Sequence, residues 1–394
     1  MEDVKLNFSK EIETGLNHIL DFWINHAVDN TYGGFIGKMD VNDKVYPEAD
    51  KGLVLNSRIL WTFSAAYLQN PKPIYQKLAK RAFDYLLEYF WDKKNGGGYW
   101  SLDYKGDPKL THKQIYGQGF MLYGFSEYYR AFDDSKALEK AIELFQIIEN
   151  VAFDKKNGGY YEVASVDWKI IQDAGIITQG NAEQQKSTNT HLHIVEPYTN
   201  LYRVWKNEHL AKQIEGLLHN FSEHIIDKHT HSQHLFFSDT WEVKSSIVSF
   251  GHDIEAAWLL CEAAEELKHK ELIVQFNQIA LEMTEASLKG LDTDGGMFNE
   301  EDQKHLDKQK HWWPQAEAMV GFLNTYQISK NGKYFNLCLN TWAFIKKNLI
   351  TSTHEWYWGL DEHNRPMINH DKIGMWKCPY HSARACMEII KRLK

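Results

Sequence analysis

The sequence has little cysteine, no basic tract and no long apolar run, and each lack closes a class of function. Four cysteines in 394 residues cannot staple a disulfide scaffold. Cys378 and Cys386 stand eight apart, about 12 Å along a helix, too far to bridge. A reduced, cytoplasmic protein is the expectation. The 44 Lys and Arg are scattered and outnumbered by 53 Asp and Glu, which argues against nucleic acid as a partner. No stretch reaches the roughly 20 apolar residues of a membrane span. The opening MEDVKLNFSKEIETGL is acidic and amphipathic, unlike a secretion signal. No glycine-rich loop carries a Lys-Ser/Thr signature, no zinc spacing occurs, and no dinucleotide fingerprint follows a strand. No cofactor and no metal are therefore expected.

What is abundant is aromatic and imidazole side chains, with 14 Trp and 19 His. A phrase also recurs. FWDKKNGGGYW begins at Phe90 and FDKKNGGYYE at Phe153; their relatives are NTYGGFIGKMD, HSQHLFFSDTW, TDGGMFNEED and HEWYWGLDE, beginning at Asn30, His231, Thr293 and His354. The centres fall near residues 34, 97, 159, 234, 296 and 358. Asn-Gly and Asp-Gly steps between apolar residues read as short β-hairpins, because glycine supplies the positive φ that such turns need.

Between these turns the apolar period becomes that of helices. They are predicted near 9–27, 56–68, 74–90, 113–131, 135–150, 188–205, 209–227, 250–267, 271–289, 313–329, 333–349 and 379–393. Six repeats of helix, hairpin and helix follow. The unit is longer than common solenoid repeats and stops at six copies. The expectation is an all-α, closed (α/α)6 barrel with its hairpins at one rim, forming a single domain over 1–394; an open strip of helices is the alternative.

The helix after each hairpin starts with chemically active residues. NSRILW holds Arg58, and KQIYGQGF holds Tyr116 and Phe120. NTHLHIVE holds Asn189, His193 and Glu196; GHDIEAAW holds His252 and Glu255. WWPQAEAM holds Trp313 and Glu317, and KCPYHSAR holds His381. Spacings of three and four share a helix face, so a closed barrel would gather these groups at one mouth. His191 and His193 look like a metal pair, but residues two apart on a helix point different ways. His112, His231 and His311 read as loop residues.

Two chemistries suit this set. Glu255 and Glu317 could be the carboxylate pair of a glycosidase, which leaves the histidines unused. Imidazoles beside a cation and sugar-stacking rings suit proton transfer next to a carbonyl. The C2 hydrogen of an open-chain aldose is weakly acidic, and a cation stabilises the enediolate formed when it leaves. His252 and His381 belong to different repeats and could flank one carbon, with Arg58 and His193 holding its oxygens.

NSRILW, NTHLHIVEPYTNLYR, GHDIEAAWLL, WWPQAEA and WKCPYHSARACMEIIKR together resemble the N-acylglucosamine 2-epimerase superfamily, and within it the branch acting on β-1,4-linked disaccharides. The resemblance covers nearly the whole chain. It implies the (α/α)6 barrel, no metal, and inversion of C2 at the reducing-end glucose or mannose. His252 and His381 match its acid–base pair, and Arg58 and His193 match the groups holding the reacting oxygens. Tyr116, Asn189 and Glu255 match polar contacts to the sugar, Trp313 and Trp376 match aromatic walls, and Phe120 and Glu317 are further contact candidates. The stretch 164–187 matches nothing. The expected partner is a small saccharide, bound by a monomer or weak homodimer. Rival readings are an N-acylglucosamine epimerase, a mannose aldose–ketose isomerase, a glycoside hydrolase and a saccharide-binding protein without turnover.

Overall fold

A computed structural model describes residues 2–171 and 184–394. Half of the unmatched stretch 164–187, residues 172–183, lies outside the described residues. Twelve α-helices occur among the described residues: α1 Glu2–His26, α2 Leu53–Gln69, α3 Pro73–Tyr85, α4 Ile115–Phe132, α5 Ser135–Val151, α6 Thr188–Val204, α7 Glu208–Asn220, α8 Phe250–Leu267, α9 Lys270–Ser287, α10 Trp312–Ser329, α11 Gly332–Asn348 and α12 Tyr380–Leu393. The first begins earlier than expected, its apolar stripe of Phe8, Ile12, Leu16 and Ile19 being preceded by exposed turns. The third and seventh run on into π-turns, Leu86–Phe90 and Phe221–Ile225.

Even- and odd-numbered helices differ as inner and outer layers should. Every residue of α2 from Leu53 to Ala66 is buried, as a helix covered on all sides requires. By contrast α5 buries one stripe, Ala137, Ala141, Leu144, Phe145 and Ile148, and faces water with the rest. Each even helix packs on the next even one, and α12 returns to pack on α2; each odd helix backs one even helix, with α1 against α12. The ring is therefore closed, an (α/α)6 barrel.

The recurring phrase makes the elbow from an outer helix toward an inner one. Each elbow is held by one antiparallel bridge: Val28–Phe35, Trp91–Gly98, Phe153–Tyr160, Ile226–Gln233, Leu291–Met297 and Ile350–Trp356. Gly96 and Gly97 take φ of +77° and +68°, where a Cβ is costly. The fourth and sixth elbows lack glycine at the first such position. There His231 and His354 adopt φ of 58° and 72°, the left-handed region that histidine visits more readily than most residues.

After each elbow the chain pairs with the neighbouring repeat. Lys51–Gly52 pairs with Ser101–Leu102, Lys113–Gln114 with Val163–Ala164, Lys186–Ser187 with Phe236–Phe237, Val248–Ser249 with Glu300–Glu301, and Lys310–His311 with Gly359–Leu360. A Met39–Ile373 bridge completes the circuit. The sheets are thus stitches between repeats at the rim where the inner helices start.

Two side-chain devices fix each elbow. A buried lysine just ahead of an inner helix grips an elbow carboxylate: Lys51–Asp29 at 2.7 Å, Lys113–Asp92 at 3.0 Å, Lys186–Asp154 at 2.8 Å and Lys310–Asp292 at 2.7 Å. Lys377–Glu355 at 2.6 Å is the sixth-repeat version. The fourth repeat has Val248 at this position, and Asp227 faces His234 instead. The fourth residue of the helix then clamps elbow backbone. Gln118 bonds both N–H and C=O of Gly98, Gln315 does the same to Met297, Asp253 accepts from Gln233 N–H, and His191 accepts from Tyr160 N–H.

Cutting one partner from a buried pair leaves an uncompensated charge. Lys113→Met should lower the unfolding free energy by about 3 kcal/mol, measured by denaturant titration. Adding Asp92→Asn should restore part of the loss, since the stranded charge is then gone; a double variant no more stable than the single would contradict this account.

Candidate active site

The clamp sets the phase of the four inner helices that have it, α4, α6, α8 and α10. With position four turned back to the elbow, positions two and six turn to the barrel axis. That separates the two histidines of HLH: His191 is structural, its Nδ1 on Ser187 O at 2.7 Å and its Nε2 on the elbow, while His193 faces the axis. A kink sharpens the placement. Pro197 has no N–H to return to the carbonyl of His193, four residues earlier, and His193 leaves helical geometry at φ −90°, ψ 16°. Its freed carbonyl lies against α4 at Gly119, where any Cβ would come within 2.5 Å of it. Similarly, a Cβ on Gly251 would meet the Trp313 ring at 2.5 Å, so glycine beside His252 admits that indole.

The starts of the inner helices enclose a cavity of about 290 Å³. Arg58, Tyr116, Asn189, His193, His252 and Glu255 form part of its wall. Trp313, Trp376 and His381 complete the expected set, joined by Trp312 and Trp358. The Trp313 ring stands between the two histidines of the expected acid–base pair, 4.8 Å from His252 and 5.9 Å from His381. Trp376 is 41% exposed, unlike the deeply buried rings around it, and forms the outer lip. Two expected contacts stand behind the wall instead. Phe120 is covered by the Arg58 guanidinium, 4.1 Å above its ring. Glu317 is fully buried beneath His381.

Each imidazole is tethered through Nδ1, leaving Nε2 toward the cavity. His381 Nδ1 meets Glu317 Oε1 at 2.6 Å, His193 Nδ1 meets Glu196 Oε2 at 3.2 Å, and His252 Nδ1 meets Ser249 Oγ at 2.8 Å. A carboxylate can only accept, so neutral His381 and His193 present a basic Nε2 lone pair. The Ser249 hydroxyl can donate or accept, so His252 can stand in either tautomer. Burial holds all three imidazoles below the ordinary 6.5; the cations Arg58 and Arg384 act in the same direction on His193 and His381, and His193 does so on His252.

Arg58 has no carboxylate partner among the described residues. Its Nη2 donates to Tyr116 Oη at 2.7 Å, its Nη1 lies 3.8 Å from Cys378 Sγ, and its Nε has no partner. Arg384, which sequence reasoning missed, is the opposite case. Its Nη2 donates to Glu255 Oε1 and Glu317 Oε1, each at 2.7 Å, and its Nη1 donates to Glu196 and bonds the Tyr380 hydroxyl. The missed signal was its place three residues after His381, on one helix face. Trp312 and Trp358 were also missed, although each adjoins a quoted motif residue.

A larger cavity, about 830 Å³, opens at the C-terminal ends of the inner helices. It holds no histidine, and its charges pair among themselves, as Arg203 with Glu262 at 2.6 Å and Arg130 with Glu127 at 2.6 Å. The chemistry lies at the other mouth, where helix N-termini add positive potential.

A closed α-barrel with tethered imidazoles and a free guanidinium at its mouth has the makings of a sugar isomerase. The family model for N-acylglucosamine 2-epimerase matches residues 34–385. A cellobiose 2-epimerase of Bacteroides fragilis is 43% identical over 99% of both chains, and one of Dictyoglomus turgidum is 39% identical over 99% of this chain and 100% of its own. The solved structure of cellobiose 2-epimerase from Bacillus thermoamylovorans superposes with a TM-score of 0.93 at 36% identity, covering 98% of this chain and 99% of that one. The chain belongs to the N-acylglucosamine 2-epimerase family, and the protein is a sugar epimerase of the isomerase class.

The depressed imidazoles have a pH signature. A histidine whose folded pKa lies below its unfolded one takes up a proton more readily when unfolded, so its burial erodes stability as pH falls through 6.5. The folded imidazoles stay neutral there. The acid limb of kcat/KM should lie below pH 6.5, as read from a pH–rate profile; a limb at or above 6.5 would contradict this.

Proposed function

We propose that the protein inverts C2 of the reducing-end aldose of a β-1,4-linked disaccharide, converting cellobiose to glucosyl-mannose, by proton abstraction and return through an enediolate. The observation that carries this reading is the buried Arg58 guanidinium, without a counter-ion among the described residues, in one cavity with imidazoles from different repeats. A desolvated cation in want of negative charge costs stability at rest. It offsets that cost when an anion develops beside it. The enediolate is such an anion.

In the proposed sequence the sugar ring opens in the cavity and the C1 aldehyde comes under Arg58. One of His252 and His381 takes the C2 proton at Nε2, and the electron pair of the C–H bond moves into the enediolate. The second imidazole, which carries a proton on Nε2 when C2 is deprotonated, gives that proton to the opposite face of C2; the ring closes, and the two imidazoles restore their protons by exchange with water. His381 on Glu317 is suited to abstraction, while either tautomer of His252 is open to it through Ser249. Tyr116, Asn189 and Glu255 are the proposed polar contacts to the reducing sugar. Trp313 and Trp376 are proposed to stack on it, with Trp376 at the lip where a second sugar would leave the cavity. Phe120 and Glu317 support Arg58 and His381 rather than the sugar. The cellobiose 2-epimerase relatives support a disaccharide over a monosaccharide substrate. The catalytic cycle, as proposed, uses no cofactor and no metal, and a monomer or weak homodimer suffices for it.

Product chromatography tests the reading with cellobiose, β-1,4-mannobiose, mannose and N-acetylglucosamine as substrates. The C2 epimers of the two disaccharides are expected to dominate. His252→Ala and His381→Ala should each slow the reaction by about 10²- to 10⁴-fold. Release of free monosaccharides would instead make Glu255 and Glu317 a hydrolytic pair, and near-full rate in either variant would remove that histidine from the mechanism.

A further inference from the structure

Three carboxylates from three repeats meet one guanidinium below the cavity floor. Glu196 on α6, Glu255 on α8 and Glu317 on α10 all bond Arg384 of α12, whose side chain is 2% exposed. Separations of 188, 129 and 67 residues make this the tightest long-range junction of the site. The planar fork suits the task, because its two terminal nitrogens each take more than one acceptor in fixed directions. A lysine ammonium offers one point instead.

The carboxylates are not equivalent. Glu317 and Glu196 each hold a histidine by Nδ1, whereas Glu255 hydrogen-bonds none: its Oε2 accepts no hydrogen bond and stands 3.9 Å from His193 Nε2. Three negative charges against one positive charge cannot all persist without water. Burial pushes Glu196 upward, but Arg384, with His193 and Tyr380, more than offsets it and leaves the carboxyl below its ordinary range. Burial and the charge of Glu317 hold Glu255 well above its range. The surplus proton thus belongs to Glu255.

We propose that Arg384 is a positioning residue of the reaction: by bonding the three carboxylates it fixes Glu317 and Glu196 as acceptors under Nδ1 of His381 and His193, and so leaves the Nε2 atoms of both imidazoles to the sugar. The part about catalysis rests on the epimerase reading; the part about tautomers does not. The other titratable groups around this junction are Arg58 from α2, Tyr123 from α4, and Tyr380 beside Arg384 on α12. Both tyrosines are held above their ordinary range by burial, and so stay neutral. Arg58 pairs with no carboxylate and cannot replace Arg384.

The test compares the full-length wild type with Arg384→Met and Arg384→Lys. In ¹⁵N-histidine NMR at pH 7, the wild type should show the proton fixed on Nδ1 of His193 and His381, beside that of His191, whose Nδ1 donates to Ser187 O and does not depend on Arg384. Arg384→Met should lose the His193 and His381 signatures as Glu196 and Glu317 come free of their anchor, while His191 keeps its own. In disaccharide epimerisation, Arg384→Met should lower kcat by about 100-fold, change KM by less than about threefold, and move the acid limb of kcat upward by at least about one pH unit. Arg384→Lys should fall between the two. Fixed Nδ1 signatures of His193 and His381 and an unmoved acid limb in Arg384→Met, whatever its melting temperature, would reduce Arg384 to a structural role. If Arg384→Met does not fold, an Arg384→Lys enzyme with the wild-type limb and imidazole signals would overturn the proposal equally. A wild type that epimerises no sugar but shows the His193 and His381 signatures would end the functional reading and leave the tautomer assignment standing.

Discussion

Arg384 carries the positive charge that Glu196, Glu255 and Glu317 share. Six helices begin at one rim, and their first turns bring Glu196, Glu255 and Glu317 into a space from which water is excluded. Without a cation between them the helices that carry these groups would repel one another at close range. With it, carboxylates from three repeats become a floor that holds two imidazoles by one nitrogen each. The second cation, Arg58, is the complement. It is set among Tyr116, Phe120 and Tyr380 with no carboxylate, so its charge remains available to a ligand. One guanidinium serves the structure and one is held open.

The rim devices explain why the positions are repeatable. A lysine ahead of the helix fixes the elbow, and the fourth helix residue clamps the elbow's backbone. The helix start can then rotate little. The second and sixth residues face the axis in repeat after repeat, and the sequence varies what is placed there: Tyr116 and Phe120, Asn189 and His193, Trp313 and Glu317. Chemistry is thus read out from a constant frame, which is how one fold hosts different reactions.

Much of this was legible before any coordinates. The elbows announced themselves through glycines at positive φ, the inner helices through unbroken burial-prone runs, and the histidines through their place after each turn. The fourth elbow was harder, because His231 takes the left-handed position that glycine holds elsewhere. The Lys–Asp clasps and the Arg384 junction were not legible. Each joins residues whose spacing in sequence has no helical or strand period, and an arginine in the second turn of the last helix reads as an ordinary solvated charge unless its place three residues after His381 is weighed. His191 and His193 could be told apart only in principle; the clamp on Tyr160 N–H decided which of them turned inward. Glu317 and Phe120 share a face with cavity residues yet lie one layer deeper, a distinction of depth that spacing cannot carry.

The central claim is that a proton leaves C2 and a proton from a protein group returns to it. Running the reaction in D₂O and reading the product by NMR tests that claim most directly. One deuterium at C2 of the epimerised sugar, and none at other carbons, is the predicted result. Epimer formed with its original hydrogen still on C2 would contradict it, because the inversion would then proceed without breaking that bond to an exchangeable base.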